Sequence, residues 1–164
     1  MEAAPVTKIE PFQTGFIVTP MTADLLPSVV ALEESCGLNS RGLDGYRKML
    51  SNPTSVLLVA MPIGPIGPIG PMGIFSGIVV IDELQIDNLA VSERWRMKGI
   101  GRTLLNFALT AAAGLGARAV TLEVRSANSS ARSFYEKEGF TPVGLRKRYY
   151  ADPPDDALLL SREI

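Results

Sequence analysis

The chain has no histidine and a single cysteine, Cys36, so proton transfer in any reaction falls to carboxylates, tyrosines, lysines or that thiol. Ser-His-Asp and Cys-His catalysis are excluded, and a structural zinc site lacks its usual ligands. Two residues sit in patterns that could carry acid–base chemistry. Glu123 lies in TLEVR, where strand alternation sets it with Thr121 and Arg125 opposite Val120, Leu122 and Val124. Tyr135 follows Asn128 by seven residues, two helical turns, so both project to a similar side. A solvated sheet face would also display a carboxylate like Glu123, and a core helix would also bury an aromatic like Tyr135.

A third pattern points to anion binding. In RWRMKGIGRTLL, Arg94 to Leu105, Gly99 and Gly101 stand where a strand gives way to a helix. Glycine there lets backbone N–H groups approach an anion, and a helix start adds unpaired donors and a positive dipole end. Arg94, Arg96, Lys98 and Arg102 concentrate positive charge at that point, which predicts a pyrophosphate site. The alternative is a simple turn before a helix. The run is neither a Walker loop nor a full dinucleotide fingerprint, because the lysine-serine/threonine ending and the third glycine are missing.

These groups need a scaffold. The 164 residues suffice for one domain, with 46% hydrophobic and 20% charged residues, the balance of a globular protein. A net charge of −1 offers no general attraction to nucleic acid or an anionic membrane. The first residues do not read as a signal peptide, and no apolar run is long enough to span a bilayer, so the expected setting is the cytoplasm.

Periodicity divides the chain into a loose segment 1–15 and one domain, 16–164. Strands are predicted at Phe16–Thr19, Ser55–Ala60, Gly73–Ile81, Gln85–Val91, Ala119–Val124, about Phe140–Tyr150 and Ala157–Leu160. Helices are predicted over Thr22–Ser35, Leu43–Leu50, the stretch after Gly101 to about Gly114, and Ser129–Lys137 with Asn128 as its cap. This order predicts an α/β or α+β domain with a mixed sheet. PIGPIGPIGPMG, Pro62 to Gly73, has glycine at every third position but too few triplets for a triple helix. It reads as an exposed, PPII-like loop expansion, with a partner-binding loop as the alternative.

Arg96-Met97-Lys98-Gly99-Ile100-Gly101 matches [QR]-x-x-G-x-[GA] opening a helix. DNLAV, LEVRSANSSARSFYEKEGF and GLRKRYYADPPDDALLL extend the match, from about Val79 to Leu160 and more faintly back to Phe16. On these residues the chain resembles the GNAT superfamily of acetyl-CoA-dependent N-acetyltransferases, in its RimI branch, which acetylates the N-terminal alanine of a ribosomal protein. The resemblance implies a GNAT fold: a mixed, mostly antiparallel sheet of about seven strands with about four helices. It implies acetyl-CoA as cosubstrate and no metal. Cofactor contacts would come from Leu89, Ala90 and Val91, where the strand parts from its neighbour, from Arg96, Met97, Lys98, Gly99, Ile100, Gly101, Arg102 and Thr103 at the glycine turn, and from Asn128. Glu123 would be the general base and Tyr135 the general acid near the CoA sulfur. Tyr149 and Tyr150 would flank a peptide slot, in direct transfer within a ternary complex.

For RKRYY, the residues alone equally allow an amphipathic edge strand with solvated Arg146, Lys147 and Arg148, or a minor RNA contact. RimI-type relatives carry a Pro-Trp pair between the first two helices; here that stretch is CGLNSRGLDGY, and the sole tryptophan is Trp95. Cys36, within it, reads as a small buried residue. An α-amine of pKa about 8 is roughly a tenth neutral near pH 7, against less than about a thousandth for lysine at about 10.4. A weak base therefore handles a protein N-terminus more readily. The expected partner is such an N-terminus, on a ribosomal protein, with no nucleic acid or membrane partner and a monomer or weak homodimer as the assembly. Acetylation of lysine or a small amine, and a non-catalytic acetyl-CoA-binding module, are the alternative readings.

Overall fold

The computed structural model describes residues 15–63 and 70–164. The loose segment expected over 1–15, save Gly15, and residues 64–69 of the repeat loop at 62–73 therefore lie outside the described residues. Seven strands form one sheet in the order β1-β2-β3-β4-β5-β7-β6. They are β1 (Phe16–Pro20), β2 (Ser55–Pro62), β3 (Gly73–Val80), β4 (Glu83–Val91), β5 (Ala119–Arg125), β6 (Thr141–Ala151) and β7 (Pro154–Glu163). Helices α1 (Leu26–Ser35), α2 (Gly42–Leu50), α3 (Ile100–Gly114) and α4 (Ser129–Lys137) complete the fold.

All neighbouring strands are antiparallel except β4 and β5. That parallel pair is joined only at Glu83–Gln85 against Ala119–Thr121, although β4 continues to Val91 and β5 to Arg125. Beyond Gln85 the two strands part. A β-bulge makes a second break: Gly77 pairs with Ile86 and Ser76 with Asn88, leaving Asp87 as the extra residue. One inserted residue reverses the facing of everything after it. Leu84 and Ile86 face one helical layer before the bulge, and Leu89 and Val91 regain that face after it, which turns Asn88 and Ala90 to the other side.

The two faces carry separate cores. One packs α3 residues Ile100, Leu104, Leu105, Ala108 and Ala112 with Tyr135 of α4 against Leu84, Val120, Leu122 and Val124. The other packs Leu26, Val29, Leu32, Tyr46 and Met49 of α1 and α2 against Leu57, Val59, Ile74 and Ala90. The sheet is thus a wall between two helical layers, open between β4 and β5.

Most predicted elements form within a residue or two. The helix expected from Thr22 instead starts as a 3₁₀ turn at Ala23–Leu25, with the α-helix beginning at Leu26. Pro27 then occupies the first turn, where its missing N–H costs nothing. β7 runs beyond the predicted Ala157–Leu160 because β5 and β6 give it partners along its length.

Candidate active site

The glycine turn lies at the open end of the gap. Met97 (φ 62°) and Gly99 (φ 82°) are both left-handed, and Gly99 is the N-cap of α3. Two left-handed residues curl the segment into the kind of concavity that presents successive N–H groups outward. No side chain caps α3. The amides of Ile100, Gly101 and Arg102 precede any intrahelical acceptor, so they stay available at the positive end of the helix dipole. The Thr103 hydroxyl is engaged inward, donating to the Gly99 carbonyl at 2.8 Å.

The four cations of this run divide by role. Arg94 and Lys98 stand over the Trp95 ring, at 4.9 and 5.9 Å. Arg102 pairs with Glu138 at 2.7 Å. Arg96 folds back, its Nε donating to the Val91 carbonyl at 3.1 Å. Arg102 thus has its partner 36 residues along the chain, and the Arg96 Nη2 also reaches Cys36 Sγ at 3.8 Å, 60 residues away, contacts no local pattern displays.

The edge of β4 is the second part of the site. The Ser92 N–H donates to Met72 across the β3 side. The Val91 carbonyl, in the same planar peptide, must point the opposite way, into the gap. Strand alternation directs the backbone groups of Leu89 and Val91 to that edge and those of Ala90 toward β3. The Val91 carbonyl already accepts from Arg96 and, at 3.6 Å, from the thiol of partly buried Cys36.

Glu123 and Tyr135 lie on opposite faces of the sheet. Val120, Leu122 and Val124 join the α3–α4 core, so Glu123 faces the α1–α2 layer. Thr121, two residues earlier on that face, bonds Glu83 at 2.8 Å. Glu123 pairs with Arg146 of β6 at 3.3 Å, and its carboxylate, by hydrogen bonding and by its charge, raises the Tyr149 hydroxyl above the ordinary tyrosine value. Tyr135 is in the α3–α4 core, edge-on to Phe134 and Phe140 at 5.1 and 5.2 Å, and burial raises its hydroxyl pKa. Asn128 caps α4, its Oδ1 accepting from the Ala131 N–H at 3.1 Å.

Tyr149 and Tyr150 are edge-on at 5.1 Å near the end of β6, which is an edge strand. Between Arg146 and Tyr150 the pairing with β7 breaks, and Arg148 turns left-handed at φ 53°. The break sets Tyr149 beside Glu123 while the Arg125 guanidinium stacks on Tyr150 at 4.1 Å. Carboxylate and aromatic pair thus share one face of the gap. No group of three or more possible metal-ligating side chains occurs among the described residues, and no helix among them is long and apolar enough to cross a membrane.

Residues 46–140 match the model of the acetyltransferase (GNAT) family. The chain is 36% identical over 116 residues to the putative [ribosomal protein bS18]-alanine N-acetyltransferase of Bacillus subtilis (strain 168), covering 70% of this chain and 73% of that protein. It is 34% identical over 88 residues to the Escherichia coli (strain K12) [ribosomal protein bS18]-alanine N-acetyltransferase, a match spanning 52% of this chain and 60% of that one. The crystal structure of the Escherichia coli ribosomal-protein-S18-alanine N-acetyltransferase superimposes with a TM-score of 0.78 at 22% identity, over 91% of this chain and 94% of that one. Arabidopsis thaliana NAA60 in complex with acetyl-CoA superimposes at 0.81 and 17% identity, over 91% and 98%.

Proposed function

Since the chain belongs to the GNAT acetyltransferase family and is an acetyl-CoA-dependent N-acetyltransferase, we propose that its acceptor is the α-amine of a protein N-terminus, an N-terminal alanine of a ribosomal protein. The gap between β4 and β5, with Glu123 on one face and Tyr135 on the other, is the observation that carries this reading. The named activity of the Bacillus subtilis and Escherichia coli relatives supports the choice of amine.

Acetyl-CoA supplies the activated acetyl group. Its pyrophosphate suits the uncapped first turn of α3, where the Ile100, Gly101 and Arg102 amides and Lys98 offer donors and positive charge. Gly99, Arg96 and Thr103 shape that turn and Met97 completes its curl, and Asn128, the N-cap of α4, is the further cofactor contact that the family resemblance implies. The pantetheine arm suits the β4 edge, where Leu89 and Val91 present backbone groups and Ala90 keeps the strand paired with β3. Glu123 takes the proton of the incoming ammonium, directly or through water, and leaves a neutral amine to attack the acetyl carbon. The Val91 N–H donates to the acetyl oxygen as negative charge gathers there. As the carbon–sulfur bond breaks, the Tyr135 hydroxyl gives its proton to the thiolate. Tyr149 and Tyr150 flank the acceptor peptide on the Glu123 face.

Gly99→Ala tests the turn. Its Cβ would meet nothing within 4 Å, so the cost is the left-handed backbone alone, φ 82°. The unliganded variant relaxes toward right-handed conformations, and binding must restore the strain of about 1–2 kcal/mol. Acetyl-CoA Kd, measured by calorimetry, should rise about tenfold.

The acceptor is tested by incubating the protein with acetyl-CoA and two peptide pools, one with free N-termini and blocked lysines, the other the reverse. Mass spectrometry should find acetyl groups in the first pool, most on peptides starting with alanine. Modification confined to lysines would move the function to another amine.

A further inference from the structure

Glu33 is the one fully buried carboxylate among the described residues, and the transfer chemistry leaves it unused. Its Oε1 accepts from the Tyr46 hydroxyl and, at 2.8 Å, from Asn88 Nδ2. Its Oε2 has no partner among the described residues. A buried carboxylate with an unpaired oxygen is costly, and an apolar side chain would pack among Leu26, Val29, Leu32 and Met49 more cheaply. The contacts of Glu33 lead to the α1–α2 connection. Asn88 Nδ2 also donates to the Asn39 carbonyl at 3.1 Å. Arg41 forks onto Asp87, the bulge residue, at 2.9 and 2.6 Å. Cys36 meets the Val91 carbonyl.

Residues 36, 39 and 41 are therefore tied to β4 residues 91, 88 and 87 in reverse order. The connection runs along the half of β4 that has parted from β5. The bulge at Asp87 makes this possible by turning Asn88 toward Glu33 and the α1–α2 layer. Glu123 and the tyrosine pair face that same layer, so the connection borders the amine's approach from the opposite bank.

We propose that the Arg41–Asp87 and Glu33–Asn88 pairs are positioning residues for the acceptor, holding residues 36–41 along the open half of β4 as a wall of the amine slot. This rests on reading the β4–β5 gap as the place of transfer.

The test is a charge exchange at the partly exposed pair, which spares the buried core. Arg41→Asp and Asp87→Arg are made singly and together, and KM, kcat and acetyl-CoA Kd are measured with the amine that the unaltered protein acetylates. Each single variant should raise the amine KM about tenfold with kcat within about twofold. The double variant should recover to within about threefold of the original KM, with acetyl-CoA Kd unchanged throughout. Asn88→Ala should also raise the amine KM and leave acetyl-CoA Kd unchanged. An unchanged KM in the single variants, no recovery in the double, or a Kd that rises with KM overturns the proposal. Acetylation confined to lysines would count against the N-terminal reading while leaving this kinetic test intact, and a protein that acetylates no amine removes both.

Discussion

Glu123→Gln should lower kcat by about a hundredfold or more while leaving acetyl-CoA Kd nearly unchanged. Glutamine keeps the shape of the side chain but cannot accept the ammonium proton. The glycine turn and the β4 edge are untouched, because Glu123 projects from the face opposite α3 and α4. The pH profile adds a second readout. Without the carboxylate, the variant depends on amine that is already neutral, so its residual rate should climb with pH until the α-amine is deprotonated, at about pH 8. The substitution also removes the negative charge beside Tyr149, whose hydroxyl should fall back toward the ordinary tyrosine value. Initial rates across pH, with absorbance titration of the tyrosines, measure both. Wild-type kcat in this variant would reduce Glu123 to a partner of Arg146 on a polar sheet face.

Tyr135→Phe should lower kcat by about a hundredfold with stability within about 1 kcal/mol of the original. The ring is held by Phe134 and Phe140, contacts that phenylalanine retains, and the hydroxyl bonds no protein group among the described residues. A residue serving only the core would lose nothing measurable in turnover. Burial raises the Tyr135 pKa, so the hydroxyl stays protonated throughout the working pH range and is ready to protonate a departing thiolate. The same shift has a stability consequence. The unfolded chain releases this proton first, at about pH 10, so the stability tied to the protonated tyrosine is complete below that pH and lost as pH rises beyond it. Denaturant unfolding at high pH should show part of that loss missing in Tyr135→Phe, with the rest remaining because buried Tyr46 is raised in the same direction.

What sequence reading reaches here is what local pattern encodes. β-Branched and apolar runs mark the strands, Gly99 and Gly101 mark the passage into α3, and Asn128 marks its own capping bond. The alternation of TLEVR correctly separates Glu123 from the core-facing Val120, Leu122 and Val124. The rest depends on residues that meet only when the sheet is assembled. Glu33, in LEES, looks like an exposed helical residue, yet it is fully buried because Tyr46 and Asn88 converge on it. The bulge at Asp87 has no glycine to announce it, and it decides which face Asn88 takes. Arg96 and Arg102 read as cations for an anion until their partners, Val91 and Glu138, are seen in space.

The central claim is that acetyl transfer occurs in the gap between β4 and β5, with the amine approaching from the Glu123 face and the sulfur leaving toward Tyr135. A crystal structure of the protein bound to a conjugate of CoA and an alanine-starting peptide tests it most directly. The account predicts the pyrophosphate on the first amides of α3, the pantetheine arm against Leu89 and Val91, and the peptide between Tyr149 and residues 36–41. A peptide emerging on the α3–α4 face, or a pantetheine arm away from the β4 edge, would contradict it.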